Sequence, residues 1–162
     1  MQPLLVLKLL VLLAVANGTP VLAKSLLGDR LARPLDGGAI LGDGRPLFGP
    51  SKTIRGVVLA LIATPLAAAL MGLSWQLGVV LAALAVAGDL LSSFVKRRMG
   101  LASSSMAIGL DQIPESLLPL LGVRLFVPLS LLDMFAGVAI FFAGELILSR
   151  ILFHLNLRDR PY

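Results

Sequence analysis

Ionisable side chains stand inside or beside apolar runs at three places in this chain, and each has chemistry open to it. The first is ALAVAGDLLSSFVKRR at positions 83–98. On a helix, Asp89, Ser92, Ser93, Lys96 and Arg97 share a face. Gly88 lets another backbone or a ligand come close. A charge in mid-bilayer costs on the order of 2.5–3.5 kcal/mol on insertion scales, so Asp89 requires a reason. It either serves a site or neutralises Lys96 or Arg97 at the helix end. The second place is Asp111-Gln112-Ile-Pro-Glu115, with two carboxyls one turn apart. Beside Asp89 they would form an oxygen-rich site for a hard cation such as magnesium. Asp111 also suits a helix N-cap, with Pro114 early in the helix. The third place runs from Gly44 to Gly56 and holds Lys52, Thr53 and Arg55 before an apolar run. Backbone N–H groups and cations at a helix N-terminus favour anions. Two residues separate Gly49 from Lys52 and no buried strand precedes them, so this is not a P-loop. The same residues also read as a solvated basic flank.

The elements that position these groups follow from composition. The chain has 162 residues, of which 57% are hydrophobic and 14% charged. Mean hydropathy is +0.95. That excludes a water-soluble globule and a disordered chain. There is no cysteine, so disulfides and thiolate chemistry are excluded, and one histidine, His154, excludes a histidine metal cluster. The fold expected is an all-α integral membrane bundle of about five transmembrane helices in a single domain, 1–162. The spans are expected at about 3–27, 53–72, 75–94 and 130–153, with a short fourth helix at 112–121 that continues brokenly towards Pro128. Asn17-Gly18-Thr19-Pro20 interrupts the first span. Residues 1–16 end in a small-residue pattern like a signal peptide, but Lys8 lies inside the apolar run and no basic region precedes it. This segment is expected to remain as the first helix.

Long loops in compact chains tend to be functional or disordered. Residues 28–52 form one, rich in Gly, Pro, Arg and Asp; residues 96–110 form a second. The net charge of +5 does not point to nucleic acid, because the basic residues lie between apolar segments. With five spans, Lys24, Arg30, Arg33, Arg45, Lys52, Arg55, Lys96, Arg97, Arg98, Arg150, Arg158 and Arg160 fall on one side. Arg124 falls on the other, and Lys8 is near enough to an end to snorkel. The positive-inside rule then puts the N-terminus outside and the C-terminus in the cytoplasm. Glu145 lies within span five and needs a polar partner. Asp133 borders that span, Trp75 suits the interface, and His154 suits the headgroup level.

Taken in order, Asn17-Gly-Thr-Pro20, Pro34-Leu-Asp36-Gly, Asp43-Gly-Arg-Pro-Leu-Phe-Gly49-Pro-Ser-Lys-Thr-Ile-Arg55-Gly56, Gly88-Asp89-Leu-Leu-Ser-Ser-Phe94-Val-Lys-Arg-Arg98 and Asp111-Gln112 resemble the CDP-archaeol synthase family. The resemblance covers most of the chain, from Asn17 to Tyr162. It implies a plasma-membrane enzyme that transfers a cytidylyl group from CTP to an isoprenoid ether lipid phosphate, with Mg2+ and release of pyrophosphate. By motif, Asp89 and Asp111 would bind the metal. Lys52, Arg55, Lys96 and Arg97 would hold phosphates, with Lys96 also acting with the two acids in catalysis. Asn17 would line the cavity, while Thr53 and Gln112 fall in matching substrate-binding blocks. Asp36 matches too, without a separate role. The partners implied are CTP, a lipid phosphate and the bilayer, with a homo-oligomer left open.

One departure stands out. Where the family pattern places a second acid three residues after the aspartate, this chain has Pro114, and Glu115 follows. That leaves the lipid open and admits a bacterial branch acting on a different phospholipid. Two other readings compete. One is a small transporter, although no internal repeat is visible; the other is a non-catalytic lipid-binding member of the family.

Overall fold

The computed structural model describes residues 2–105 and 107–154, without the side chain of residue 152. The polar tail with Arg158 and Arg160 lies outside the described residues. Five helices follow one another: α1 Pro3–Leu27, α2 Ile54–Leu70, α3 Trp75–Arg98, α4 Gln112–Val123 and α5 Leu131–His154. α1, α3 and α5 are long and apolar enough to cross a membrane. α2 has 17 residues and α4 has 12, so they rise roughly 26 and 18 Å, short of the roughly 30 Å hydrocarbon core.

Each helix starts and stops for local reasons. Pro3 opens α1 at a position where its missing N–H costs nothing. Thr53 caps α2 by accepting from the Gly56 N–H, and Ser74 caps α3 by accepting from the Leu77 N–H. Lys96, Arg97 and Arg98 belong to the last turn of α3 rather than to a loop. Cations at a helix C-terminus suit its dipole, which carries the helix four residues past the expected end. The interruption expected at 17–20 is absent. α1 runs through Pro20, and the Thr19 hydroxyl donates to the Val15 carbonyl at 2.6 Å.

The helices form a closed sequence of neighbours: α1 with α2, α2 with α3, α3 with α4, α4 with α5, and α5 back to α1. α1 also touches α3 across the middle. Two glycines set the closest approaches to a neighbouring backbone. A Cβ on Gly78 would lie 2.6 Å from the Pro65 Cα, and one on Gly88 would lie 2.4 Å from the Pro114 carbonyl oxygen. At one end, the Gln2 N–H donates to Asp133 and Lys8 donates to the Met71 carbonyl. The start of α1, the end of α2 and the start of α5 therefore lie together, and the chain alternates in direction.

The two halves of the bundle differ. Leu9, Leu12, Leu13, Leu77, Leu81, Leu120 and Val123 pack into an apolar core in the half that contains the Gln2 end. Arg55, Ser92, Ser93, Lys96, Arg97, Asp111, Gln112, Glu115 and Ser116 are buried in the other half. The 28–53 segment closes over that polar end. It is held by two short pairings, with the Leu35 N–H on the Lys52 carbonyl at 2.7 Å and the Leu47 N–H on the Ala39 carbonyl at 2.9 Å.

Candidate active site

One ion pair joins the loop to α3. Lys52 Nζ lies 2.5 and 2.6 Å from the two carboxylate oxygens of Asp89. This corrects the ion pair with Lys96 or Arg97 that helical spacing suggested, because the cation arrives from another segment. Burial disfavours the Lys52 charge, but the Asp89 carboxylate outweighs it and, with Glu115 and Asp111 behind, holds Lys52 above the ordinary lysine value. The Glu115 carboxyl lies near enough to Asp89 for the two to act on each other electrostatically. Gly88 allows this, since the missing side chain lets Pro114 and the Glu115 backbone lie against α3.

A second pair lies one to two turns further along the same face of α3. Lys96 Nζ is 2.6 Å from Asp111 Oδ1 and 2.8 Å from the Ser105 carbonyl. Asp111 does not cap α4 with its side chain. Its other oxygen accepts from the Ala107 N–H at 2.8 Å, which folds the preceding turn back. Gln112 is fully buried and accepts from the Gly109 N–H at 2.7 Å, leaving its Nε2 without a hydrogen-bond partner. Ser92 donates to the Gly88 and Leu110 carbonyls, which ties the 107–111 turn to α3.

Two backbone donors of the 44–56 segment have an internal acceptor. The N–H groups of Phe48 and Gly49 donate to Asp36 Oδ2 at 2.9 and 3.0 Å, and that of Gly38 donates to Asp36 Oδ1. The Phe48 and Gly49 donors are thus taken by an internal carboxylate. Burial would raise Asp36, but these donors hold it below the usual carboxylate range. Arg55 is 9% exposed and donates to the carbonyls of Gly28 and Arg30, so it fastens the end of α1 to the start of the loop. Thr53 is committed to its helix cap. Arg45 donates to the Arg98 carbonyl, and Arg98 pairs with Asp43 at 2.6 Å while lying 5.3 Å from the Phe94 ring centre. These contacts latch the loop onto the end of α3.

The structure thus brings Lys52, Asp89, Lys96, Arg97, Asp111 and Gln112 to one end of the bundle, with Glu115 added. Asn17 is on α1, its Nδ2 buried and without a hydrogen-bond partner. Glu145 on α5 acts electrostatically on Glu115. Glu115 was visible in the sequence as a face-mate of Asp111, but its proximity to Asp89 depends on the α3–α4 approach. Asp36 fell in a matching block of the sequence, but nothing there assigned it a separate role.

Chemically, Asp89, Asp111 and Glu115 gather around Lys52, Lys96 and Arg97, with Glu145 acting on Glu115. An excess carboxylate beside converging oxygens suits a hard divalent cation that keeps waters and substrate oxygens in its shell. No preformed cage exists, since no group of three or more His, Cys, Asp or Glu is arranged to hold a metal among the described residues. The donor chemistry fits magnesium when an anionic substrate completes the shell.

No protein-family model matches the chain. It is 33% identical over 153 residues to a CDP-archaeol synthase of Pyrobaculum calidifontis, covering 91% of each chain. It is 29% identical over 154 residues to the CDP-archaeol synthase of Sulfurisphaera tokodaii, covering 91% of this chain and 89% of that one. A solved structure of an intramembrane enzyme for archaeal membrane lipid biosynthesis aligns with a TM-score of 0.69 at 33% identity, over 88% of this chain and 90% of that chain.

Proposed function

The chain belongs to the CDP-archaeol synthase family, and we propose that its polar end transfers the cytidylyl group of CTP to the phosphate of an isoprenoid ether lipid. It is a membrane enzyme, a CTP-dependent cytidylyltransferase of lipid biosynthesis. An ionised oxygen of the lipid phosphate attacks the α-phosphorus of CTP. A new phosphorus–oxygen bond forms as the bond to the α–β bridging oxygen breaks, and the electron pair leaves with pyrophosphate. The nucleophile is already ionised, so no strong general base is required, which suits a chain with one histidine and no cysteine.

The obstacle is repulsion between two anions. Cations placed around the transferring group remove it and stabilise the in-line transition state. Lys52 and Arg97 meet phosphate oxygens, and Lys96 orients Asp111. Asp89 and Asp111 would hold magnesium, which would supply further charge neutralisation. The observation that carries this reading is the pair of lysine–aspartate contacts, 2.5 and 2.6 Å, set at the polar end of an otherwise apolar bundle. Each cation already sits where a substrate phosphate can displace it from its carboxylate. The polar end faces the cytoplasm, by the distribution of basic residues.

Purified protein with radiolabelled CTP, Mg2+ and a panel of lipid phosphates tests this. Label should appear in lipid with equimolar pyrophosphate release, and chelation of magnesium should abolish it. Archaetidic and diacyl phosphates in the panel report the lipid. No incorporation with any lipid would refute the activity for this chain.

A further inference from the structure

Arg97 is an oddity among the buried cations. It is 5% exposed, yet its recorded side-chain hydrogen bond goes to the Ala102 carbonyl at 2.7 Å, and its Nε has no hydrogen-bond partner. Lys52 and Lys96 each contact a carboxylate directly; Arg97 makes no such ion pair among the described residues. Gly49 lies beside it with φ +93°, and a Cβ there would sit 3.4 Å from Arg97 Nη1 and 3.1 Å from Ser103 Oγ. The Ser103 hydroxyl in turn lies 3.1 Å from that of Ser51, the residue before Lys52. Both loops of the polar end therefore meet at two hydroxyls next to a guanidinium that has no carboxylate in direct contact among the described residues, with Asp111 acting on it from further away. The absent side chain at Gly49 lets its backbone lie against both groups without crowding them.

We infer that Arg97, Ser51 and Ser103 form a subsite for the β- and γ-phosphates of CTP, and hence for the departing pyrophosphate. This rests on the cytidylyltransferase reading and adds two residues that carry no charge and drew no attention in the sequence. Guanidinium groups suit phosphate through several parallel donors, and hydroxyls donate to the remaining oxygens. Adjacency along the chain orders the substrate. Lys52 stands with Asp89 at the reacting α-phosphate, while Ser51, one residue earlier, lies towards the loop surface, where the leaving group exits. When the bond from the α-phosphorus to the bridging oxygen breaks, the electron pair passes to pyrophosphate. The subsite then holds an ion with more charge than the bound diphosphoryl tail. The Ser51–Ser103 hydrogen bond opens as each hydroxyl turns to a phosphate oxygen, so pyrophosphate bridges the two loops.

The test is product inhibition in the full-length enzyme. Ser103→Ala should raise both the CTP KM and the pyrophosphate inhibition constant by about tenfold, the size expected for losing one hydrogen bond to a charged group. The KM for lipid phosphate should stay within twofold, and Ser103→Thr should restore both constants. Ser51→Ala, with calorimetric titration of magnesium pyrophosphate, gives an independent measure if Ser103→Ala folds poorly. Wild-type pyrophosphate constants in both alanine variants of an active enzyme would overturn the subsite and leave the activity standing. A rise confined to the lipid KM would overturn it as well, since the hydroxyls would then serve the acceptor. A wild-type protein that neither turns over CTP nor binds pyrophosphate would overturn both readings.

Discussion

Asp89→Asn keeps the shape of the side chain and removes the charge that holds Lys52 at 2.5 Å. In the proposed reaction it should lower kcat by about 10²–10³-fold, the cost typical of one lost electrostatic contact at a transition state. More CTP should not rescue it. A purely structural pair behaves differently. There, the double variant Asp89→Asn with Lys52→Met would recover activity, because neither partner is left uncompensated. Steady-state kinetics of the single and double variants decide between the two. Asp36 supports a second prediction, on stability. Asp36→Ala leaves the N–H groups of Phe48 and Gly49 without an acceptor and should cost about 1–3 kcal/mol. Its carboxyl is held below the usual range, so its contribution is complete above the unfolded-state pKa and disappears as pH falls through the lower folded value. Thermal unfolding in detergent should show wild type and Asp36→Ala converging in acid. Equal separation at neutral and acid pH would contradict the role. At this scale the sequence was informative about which residues matter and poor on who pairs with whom. Charged groups in apolar runs singled out Asp89, Lys96 and Asp111. Helical spacing reports only neighbours on one helix, and so could not bring Lys52 from the loop to Asp89 or Glu115 across from α4.

The helix pair α3–α4 positions the acids, and its geometry rests on one missing side chain. A methyl group at Gly88 would meet the Pro114 carbonyl at 2.4 Å and the Glu115 N at 2.8 Å, both backbone atoms that cannot swing aside. Gly88→Ala should therefore separate the helices, destabilise by about 1–3 kcal/mol as overpacking does, and depress activity. Gly144→Ala on α5 has nothing within 4 Å of the new atom and should be neutral or slightly stabilising, since alanine is the better helix former. Melting temperatures of the two variants provide the comparison; equal effects would remove the close approach as the cause. The sequence indicated that Gly88 admits a backbone or a ligand, and the occupant proves to be the α4 backbone. Helix positions were largely legible from the apolar runs and their breaks. The misjudged points were ones where a local rule lost to its surroundings. The 17–20 segment did not interrupt α1, whose expected bounds of about 3–27 hold, and three basic residues extended α3 instead of starting a loop.

The molecule as a whole is divided along the membrane normal: leucines fill one half, and buried charge fills the other. That division explains why composition announced a membrane bundle while saying little about the loop that closes it. Residues 28–53 order through Asp36, Arg55 and the Arg45–Arg98 latch, all long-range contacts that no local pattern encodes. The division also makes orientation testable. CTP is a charged, water-soluble nucleotide and cannot cross the apolar half, so the proposed reaction requires the polar end to face the cytoplasm. The basic residues of the described loop and of α3 gather at that same end, as the positive-inside rule demands. The chain has no native cysteine, so single cysteines report cleanly. Ile40, 67% exposed, lies in the closing loop, and Leu125, 87% exposed, follows α4 at the opposite end. Ile40→Cys should react with an impermeant maleimide only when the cytoplasmic face is accessible, and Leu125→Cys only from outside. Labelling of position 40 from outside in intact cells would place the lysine–aspartate pairs away from the nucleotide pool. Cytidylyl transfer at that end would then lack its substrate.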